Sequence, residues 1–396
     1  MNLLIYNAIV VTLDEKDNLL NPGYIFINEN RISEVGKGTP PSKFFDQSER
    51  VINAQHKLVM PGLINAHTHA AMSLFRGLAD DLSLENWLKN FIFPAEKQFV
   101  NRDFVYWGTL LAGWEMIKTG TTCIADGYFF EDMAIEACKV LGLRGIFAQG
   151  ILDYPTPDVL DPAETFNNAE NFLKKWQGSD LIIPALFAHS PYTCSKKTLK
   201  RAKKLTEEYK TFLFIHTAET RWEVEEIKRH YGITPIIYLH RLGILNKRTI
   251  LIHVNWISEE EFSILADTGV AVVHCPESNL KLAAGLCPVS KLLSKGIPVI
   301  LGTDSAASNN NLNLFQEMDT MAKVHKGFFL NPSIMPTRTV IKMATNIPAK
   351  VFDLNIGQIK KSALADIVII NLKHPSLFPF YDPHSLIVYT PKEAET

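Results

Sequence analysis

Short apolar runs alternate with longer amphipathic stretches over most of the chain. Runs such as LRGIFAQG (143–150) and TFLFIHT (211–217) are almost continuously hydrophobic, whereas SKKTLKRAKKLTEEYK (195–210) repeats its apolar positions with a helical period. Apolar strands separated by amphipathic helices are typical of a parallel sheet that helices cover. We count eight such strand-length runs between Leu58 and Asp304.

Eight alternating units predict a closed (β/α)8 barrel of the TIM type over residues 58–349, with an open doubly wound sheet as the alternative. Residues 1–57 differ, because they read as short strands broken by turn clusters. Strand character returns at 357–372. We therefore predict an α/β protein whose two ends, 1–57 and 350–396, build a small composite β-sandwich domain.

Charge and composition narrow the class of partner. The 396 residues carry 40 basic and 42 acidic side chains, a formal net charge of -2, and 46% of them are hydrophobic. This balance fits a globular enzyme and offers no basic field for nucleic acid or for an anionic membrane surface. We expect a small-molecule substrate.

The cysteines and the N-terminus bear on location. The five cysteines include no C-x-x-C pair, which disfavours a disulfide framework and a thiolate zinc site. The first residues lack a basic segment followed by a cleavage site, and no window holds 18 consecutive apolar residues. These features predict a cytoplasmic protein.

Two histidines stand two positions apart in the stretch LINAHTHAAM. Side chains at i and i+2 of a strand face the same side, so His67 and His69 can reach one ion together. A single H-x-H pair also occurs by chance. Its position at the end of an apolar run favours a metal site, because barrel enzymes gather their functional groups at the carboxyl ends of strands.

Other strand ends carry ligand-type side chains as well. TFLFIHT contains His216, TILIH ends at His253, and IPVILGTD ends at Asp304. Together with His67 and His69, His216 and Asp304 make a set of three nitrogens and one oxygen, which suits zinc with one open position for water. The alternative is that each histidine is a separate, hydrogen-bonded core residue.

Two neighbouring positions have open roles at this point. Glu219 follows His216 by three residues and could transfer protons, although a glutamate there is also typical of a solvated loop. His253 could be a further ligand, could hold the attacking hydroxide, or could be a packed histidine. The fourth strand ends at His189 without a lysine that could bridge two metals, which favours a single ion.

Long motifs in order make the chain resemble a known family. LVMPGLINAHTHAAMSLFRGLADDLSLENWL, HSPYTCS, IHTAET, HCPESNLKL and LGTDSAASNNNLNLFQEM resemble the metal-dependent amidohydrolase superfamily, and within it the 5-methylthioadenosine/S-adenosylhomocysteine deaminases. The likeness covers about residues 3 to 380. It implies a distorted (β/α)8 barrel, a composite β-sandwich and one zinc ion; the sequence leaves open Fe²⁺ or Mn²⁺ as the native metal. The implied reaction is hydrolytic deamination of an adenine nucleoside.

The resemblance also implies roles for individual residues. It implies four metal ligands, one proton-transferring acid, one histidine that holds the hydroxide, and two substrate contacts. The metal ligands match His67, His69, His216 and Asp304, and the proton-transferring acid matches Glu219. The histidine that holds the hydroxide matches His253, and the two substrate contacts match Glu96 and His189. Asp304 then acts in catalysis too, and both Glu219 and Asp304 are expected to contact the substrate. Trp87 could stack on the purine, or it could be a core tryptophan.

Two departures from the family pattern matter. The family binds the amino-acid tail of S-adenosylhomocysteine with arginines, one of them at a position where this chain has Gln149, and the following loop, 153–168, contains no arginine. An amide cannot form the paired, charge-assisted contact that guanidinium makes with a carboxylate, so we expect 5'-methylthioadenosine, adenosine or a related 5'-modified nucleoside instead. The C-terminal part of the sandwich also appears shortened relative to the family.

Two other functions remain open from sequence. One is an aminohydrolase of the same superfamily that acts on a guanine-type, pterin or triazine ring. The other is a noncatalytic binding barrel, which the retention of every metal ligand disfavours. By analogy with the family, we also expect a homo-oligomer.

Overall fold

A computed structural model describes residues 1–390, which fall into two compact units. One unit comprises Met1–Ile64, Met116–Thr122 and the segment from Asn313 onward, and the other comprises Asn65–Glu115 and Cys123–Leu312. The domain boundaries predicted at residues 57 and 349 stay a prediction. Residues 391–396 of the predicted composite domain lie outside the described part.

The described part contains strands and helices in the following order. The strands are β1 Asn2–Val11, β2 Leu19–Asn28, β3 Arg31–Lys37, β4 Arg50–Asn53, β5 Lys57–Pro61, β6 Leu63–Thr68, β7 Thr121–Tyr128, β8 Arg144–Ile151, β9 Ile182–Ala188, β10 Leu213–Thr217, β11 Thr249–His253, β12 Ala271–His274, β13 Val299–Leu301 and β14 Ile367–Asn371. The α-helices are α1 Ser42–Gln47, α2 Leu84–Trp87, α3 Phe93–Phe99, α4 Arg102–Lys118, α5 Glu131–Leu141, α6 Thr165–Trp176, α7 Lys196–Glu208, α8 Arg221–Tyr231, α9 Pro235–Arg241, α10 Glu259–Thr268, α11 Pro276–Lys281, α12 Val289–Ser294, α13 Ala306–Asn309, α14 Leu314–Phe328, α15 Thr337–Met343, α16 Asn346–Val351 and α17 Pro383–Tyr389. Short 3-10 turns at Ala70–Phe75, Pro162–Glu164 and Pro375–Leu377 and a π-helical turn at Leu88–Ile92 complete the list.

Eight strands form one parallel sheet in chain order from β6 to β13. Their residues are buried almost throughout, as β8 illustrates from Gly145 to Ile151, because helices cover the outer face and side chains fill the inner face. The two end strands also meet, since the Asp304 amide donates to the His67 carbonyl at 3.0 Å. This nearly closed arrangement confirms the predicted α/β barrel and excludes the open sheet.

The first predicted barrel strand is divided in the structure. The run LVMPGLIN, taken from sequence as one strand, is split between β5, which ends at Pro61, and β6, which begins at Leu63. Strand β5 pairs with β1 and β14, whereas β6 belongs to the barrel. The break falls at Pro61–Gly62, where proline lacks the amide proton that a continuing ladder needs.

The remaining six strands form a separate mixed sheet. Its main order is β14-β5-β1-β2-β3, and β4 pairs with β1. One face packs Ile5, Val10, Ile25 and Val59 against Ile359 from the C-terminal segment. Strand β14 lies within the segment 357–372 for which we expected strand character. None of the described helices is long and apolar enough to cross a membrane.

Candidate metal centre and active site

Four side chains from three strand ends converge in the barrel. His67 Nε2 and His69 Nε2 each lie 3.5 Å from Asp304 Oδ1, and His216 Nε2 lies 3.2 Å from His67 Nε2. All four side chains are buried. Ligand-type atoms within 4.8 Å of one another form two groups that share His67: one contains His69 and Asp304, and the other contains His216 and His253. Gly302 makes this possible locally, because a Cβ atom there would lie 2.8 Å from the His67 Cβ.

Hydrogen bonds fix the direction of the Asp304 carboxylate. Its Oδ2 accepts from the hydroxyls of Ser278 at 2.6 Å and Ser308 at 3.1 Å, and its Oδ1 accepts from the Ser305 amide at 2.8 Å. Because Oδ2 already has two donors, Oδ1 is the oxygen that faces the histidines. Such supporting contacts hold a ligand in the orientation that a metal requires.

The ring of His69 is also oriented by its surroundings. Its Nδ1 lies 2.5 Å from the carbonyl oxygen of Gly127, which can only accept a hydrogen bond. Nδ1 therefore carries the proton, and the Nε2 lone pair points toward Asp304 Oδ1. A backbone carbonyl behind a ligating histidine is a common way to fix its tautomer.

The protonation states fit a metal site. Burial lowers the pKa of His67 to about 4, and burial also lowers the pKa of His216. Burial alone would raise the pKa of Asp304, but the hydrogen bond from His67 and the nearby histidines hold it well below its usual value. Neutral imidazoles and an ionised carboxylate are the forms that bind metal. The converging N3O set fits one zinc ion.

Glu219 lies beside this centre as a buried acid. Its Oε1 is 3.6 Å from His253 Nε2, and its side chain is 7% exposed. Burial first, and then the negative charges of Asp304 and Glu223, hold the Glu219 pKa well above its usual value. A buried carboxyl group with a raised pKa is suited to exchange a proton with a bound molecule. The solvated-loop interpretation of Glu219 is excluded.

The backbone before Glu219 is strained and is held by a second carboxylate. Ala218 has φ of 51°, in the left-handed region that a non-glycine residue seldom adopts. Both oxygens of Glu223 accept backbone hydrogen bonds, at 2.9 Å from Ala218 and at 2.8 Å from Glu219. Glu223, in the first turn of α8, therefore fixes the position of Glu219.

A cavity of about 540 Å³ opens above the centre. Its lining includes His69, His216, Glu219, His253 and Asp304. This volume is in the range of small-molecule sites. The upper wall is largely apolar and comes from the segments 84–100 and 152–160.

Two predicted substrate contacts, Trp87 and Glu96, lie in that wall. Trp87 is 5% exposed and lines the cavity. Glu96 also lines it, and its Oε1 accepts a hydrogen bond from the Tyr128 hydroxyl at 2.7 Å. Burial raises the Glu96 pKa to about 7, although the Tyr128 hydrogen bond opposes the shift. A buried carboxylate that is half satisfied can accept further hydrogen bonds from hydroxyl groups.

His189 is a third predicted contact, and it lines the cavity at the end of β9. Its Nδ1 lies 2.9 Å from the Thr193 hydroxyl and 3.3 Å from the Ser190 hydroxyl. Burial lowers its pKa to about 3, so the ring is neutral.

Gln149 stands apart from the other predicted contacts. Among the described residues that line the cavity, its neighbour Gly150 is present and Gln149 is not. Its side-chain amide instead donates to Asp158 Oδ2 at 2.7 Å. Asp158 also accepts from the Phe130 amide at 3.2 Å. The amide is thus engaged with the loop that follows β8.

Sequence reasoning missed the residues that support the site. Tyr128 ends β7, and Ser278 and Asn279 lie within the motif HCPESNLKL. Asp126 was also missed, and its Oδ1 accepts at 2.7 Å from both the Thr68 hydroxyl and the Ala70 amide. Polar residues next to strand ends were the available signal, but their partners could not be read from one sequence.

The comparisons with known proteins agree with this geometry. Residues 58–394 match the amidohydrolase family. The chain belongs to that family. It is 41% identical over 389 residues to the 5-methylthioadenosine/S-adenosylhomocysteine deaminase of Thermodesulfovibrio yellowstonii, covering 98% of this chain and 89% of the relative.

Two further relatives carry related names. The 5'-deoxyadenosine deaminase of Methanothermobacter thermautotrophicus is 40% identical over 375 residues, which is 94% of this amidohydrolase and 86% of the relative. The crystal structure of an adenosine deaminase from Xanthomonas campestris with bound zinc superposes with a TM-score of 0.94 at 34% identity. That superposition covers 98% of this chain and 89% of the other.

Proposed function

We propose that this amidohydrolase is a zinc-dependent deaminase of adenine nucleosides. The substrate is 5'-methylthioadenosine, adenosine or a related 5'-modified adenosine, and the products are the inosine analogue and ammonia. The observation that carries the proposal is the pair of ligand groups that share His67, one with His69 and Asp304 and one with His216 and His253, beneath a cavity of about 540 Å³ that Glu219 also lines. The names of the relatives support the same reaction.

The chemistry divides between the ion and the side chains. A zinc ion held by His67, His69, His216 and Asp304 would lower the pKa of bound water from about 15.7 to about 7 and so would supply a nucleophile at neutral pH. Glu219 holds a proton that it gives to the ring nitrogen next to C6, which makes C6 electron-poor. His253 and Asp304 orient the nucleophile from the cavity floor. Glu219, now ionised, would take the proton from the oxygen added at C6 and pass it to the exocyclic nitrogen, so that the bond between C6 and that nitrogen breaks and ammonia leaves.

The wall of the cavity positions the nucleoside. Glu96 accepts hydrogen bonds from the ribose hydroxyls, His189 contacts the purine, and Trp87 offers a flat face for stacking. These roles are supported by the position of all three side chains in one cavity.

The region expected to receive the 5' substituent is apolar. Its lining includes Leu152, Tyr154, Pro155 and Leu160. Among the described residues that line the cavity, the exposed Lys97 is the one lysine or arginine. Apolar side chains favour a short neutral substituent such as methylthio over an amino-acid tail. S-Adenosylhomocysteine is therefore the weaker substrate in this proposal.

A substrate panel tests the proposed function directly. Metal-analysed protein is incubated with 5'-methylthioadenosine, adenosine, 5'-deoxyadenosine, S-adenosylhomocysteine, guanine, a pterin and a triazine, and ammonia release is measured. We expect activity on the neutral adenine nucleosides. Activity confined to the free bases or triazines would contradict the proposed substrate class, and absence of metal and of all turnover would favour a binding barrel.

The proposal includes a homo-oligomer, which an apolar surface supports. Trp107, Leu111 and Trp114 are 61%, 43% and 58% exposed along one face of α4, and Leu74 and Phe99 lie in an adjoining groove. Aromatic side chains bury about 150–250 Å² each when covered. The patch therefore supplies the apolar centre of an interface between subunits, and a second copy is the occupant we infer.

Light scattering coupled to size exclusion tests this part. The Trp107→Lys/Trp114→Lys variant should have a lower molar mass than the parent, whereas Val140→Lys, at a site that is 70% exposed on α5, should not change it. A parent that is monomeric at all concentrations contradicts the inference. We also place the enzyme in a reducing cytoplasm, which the burial of all five cysteines as thiols supports.

A further inference from the structure

A chain of side-chain amides joins the two acid–base residues of the site behind the cavity. His253 Nδ1 lies 2.9 Å from Asn279 Oδ1, and Asn279 Nδ2 donates to Asn255 Oδ1 at 2.9 Å. Asn255 Nδ2 in turn donates to the backbone carbonyl of Glu219 at 3.0 Å. All four residues are buried, so these contacts are shielded from water.

The direction of every hydrogen bond in this chain is determined by its last member. A backbone carbonyl can only accept, so the Asn255 group that faces Glu219 must be the amide nitrogen. The Asn255 oxygen then faces Asn279, whose nitrogen must donate to it. The Asn279 oxygen is left for His253, and that oxygen can only accept. His253 Nδ1 must therefore be the donor.

The second proton of the Asn279 amide is consistent with the same direction. His274 Nδ1 lies 3.5 Å from Asn279 Nδ2, on the nitrogen side of the amide. Turning the Asn279 amide over would place its oxygen against the Asn255 oxygen. One orientation alone satisfies the chain of contacts.

We propose that Asn279 is a positioning residue that holds His253 as its Nδ1–H tautomer, with Asn255 fixing the direction of the Asn279 amide against the Glu219 backbone. His253 Nε2 then presents a lone pair to the cavity floor, 3.6 Å from Glu219 Oε1. Nε2 is then in the form that accepts a hydrogen bond from a molecule at the cavity floor.

The amide chain also supports a strained segment of backbone at His253. His253 has φ of 74° and Val254 has φ of 49°, so the end of β11 adopts a conformation that non-glycine residues disfavour. The link through Asn255 to the Glu219 carbonyl ties this strand end to the loop after β10. The same amides therefore hold the separation between His253 and Glu219 as well as the tautomer.

The tautomer can be measured without turnover. Protein labelled with ¹⁵N at histidine and loaded with zinc is examined by long-range ¹H–¹⁵N correlation at pH 8, and the His253 signals are assigned by their loss in His253→Gln. We expect a proton on Nδ1 in the parent protein. A His253 ring whose Nδ1 carries no proton overturns the proposal, whatever the enzyme turns over.

Variants separate positioning from general stability. Asn279→Ala should lower kcat by about 10- to 100-fold with less than about 3-fold change in KM and with zinc retained. It should also shift the His253 ring signals. Asn279→Asp keeps an oxygen opposite Nδ1 and should keep the Nδ1 proton, but it loses the donor to Asn255. Asn255→Ala should lower kcat less than Asn279→Ala.

Asn246→Ala is the matched control. The Asn246 side chain accepts from the Arg248 amide at 2.9 Å and does not contact the amide chain, so kcat and the His253 signals should stay unchanged. If Asn279→Ala loses no more kcat than this control, the positioning role is wrong. The effect on kcat rests on the proposed deaminase function. An inactive parent with the Nδ1 proton in place would overturn that function and leave the tautomer assignment standing.

Discussion

The floor and the wall of the cavity are built in different ways. The floor is made of ionisable side chains at or just beyond strand ends, such as His67, His216 and Asp304, and each is held by hydrogen bonds or by neighbouring rings. The wall comes from the helical segment 84–100 and the loop 152–160, and it is mostly apolar. The floor sets the chemistry, whereas the wall selects the molecule that undergoes it.

Removing a floor ligand should have the largest effect. Asp304→Asn keeps the shape of the side chain but removes the negative charge that faces His67 and His69. We expect loss of zinc by elemental analysis and a fall in deamination of about 10³-fold or more, since the metal contributes several kcal/mol. The Ser258→Ala variant at the start of α10 is a control, and it should retain zinc. Full activity in Asp304→Asn would remove the distinction between floor and wall.

Replacing the proton donor of the floor should have the next largest effect. Glu219→Gln removes the transferable proton and leaves the four ligands in place, so zinc should remain bound. Turnover should fall by about 10²- to 10⁴-fold, the range of general acid–base catalysis. Steady-state kinetics together with metal analysis checks both parts. A variant that turns over at the parental rate would show that Glu219 has another role.

Substitutions in the wall should change substrate binding more than turnover. Glu96→Gln should raise KM for nucleosides by about 10-fold, because a charged acceptor for the ribose hydroxyls is replaced by a neutral one. Burial raises the Glu96 pKa to about 7, so the group is neutral below that pH and ionised above it. KM of the parent should therefore fall as the pH rises through 7.

The same pH dependence should be weaker in Glu96→Gln, because glutamine does not titrate. KM measured from pH 6 to pH 8 in both proteins gives the comparison, and protonation elsewhere in the site cancels in the ratio. Equal pH profiles for the two proteins would show that Glu96 does not contact the substrate in its ionised form.

The smallest expected effect concerns the tail of the nucleoside. Gln149→Arg alone should raise activity on S-adenosylhomocysteine by less than about 3-fold, because Asp158 lies beside residue 149 and would pair with the new guanidinium. Gln149→Arg/Asp158→Asn frees that group and should raise it by about 10-fold. kcat/KM for S-adenosylhomocysteine relative to methylthioadenosine is the measurement. A large gain in the single variant would mean that Asp158 does not engage residue 149.

The two regions also differ in how far the sequence predicts them. His67 and His69 could be placed together because strand alternation puts them on one side, and barrel topology brings His216 and Asp304 to the same end. No such rule places the residues of the wall. Glu96 comes from a short helix whose approach depends on packing, and only the resemblance to the deaminase family identified it.

Side-chain partners set a further limit on what sequence can predict. Gln149 lies where the family has an arginine, yet its amide turns to Asp158, which no strand rule could foresee. The contact between Asn279 and His253 joins a short helix to a strand end in the same way. The break between β5 and β6 was hidden because an apolar run does not show which sheet each half joins.

Titration of the metal-free protein with zinc tests the central claim most directly. Ammonia release from 5'-methylthioadenosine is followed as zinc is added to chelator-treated protein at concentrations above its dissociation constant. We predict that activity is absent at the start, rises in proportion to added zinc, and stops rising at one ion per chain. Full activity without metal, or a rise that continues to two ions, would contradict a single centre held by His67, His69, His216 and Asp304.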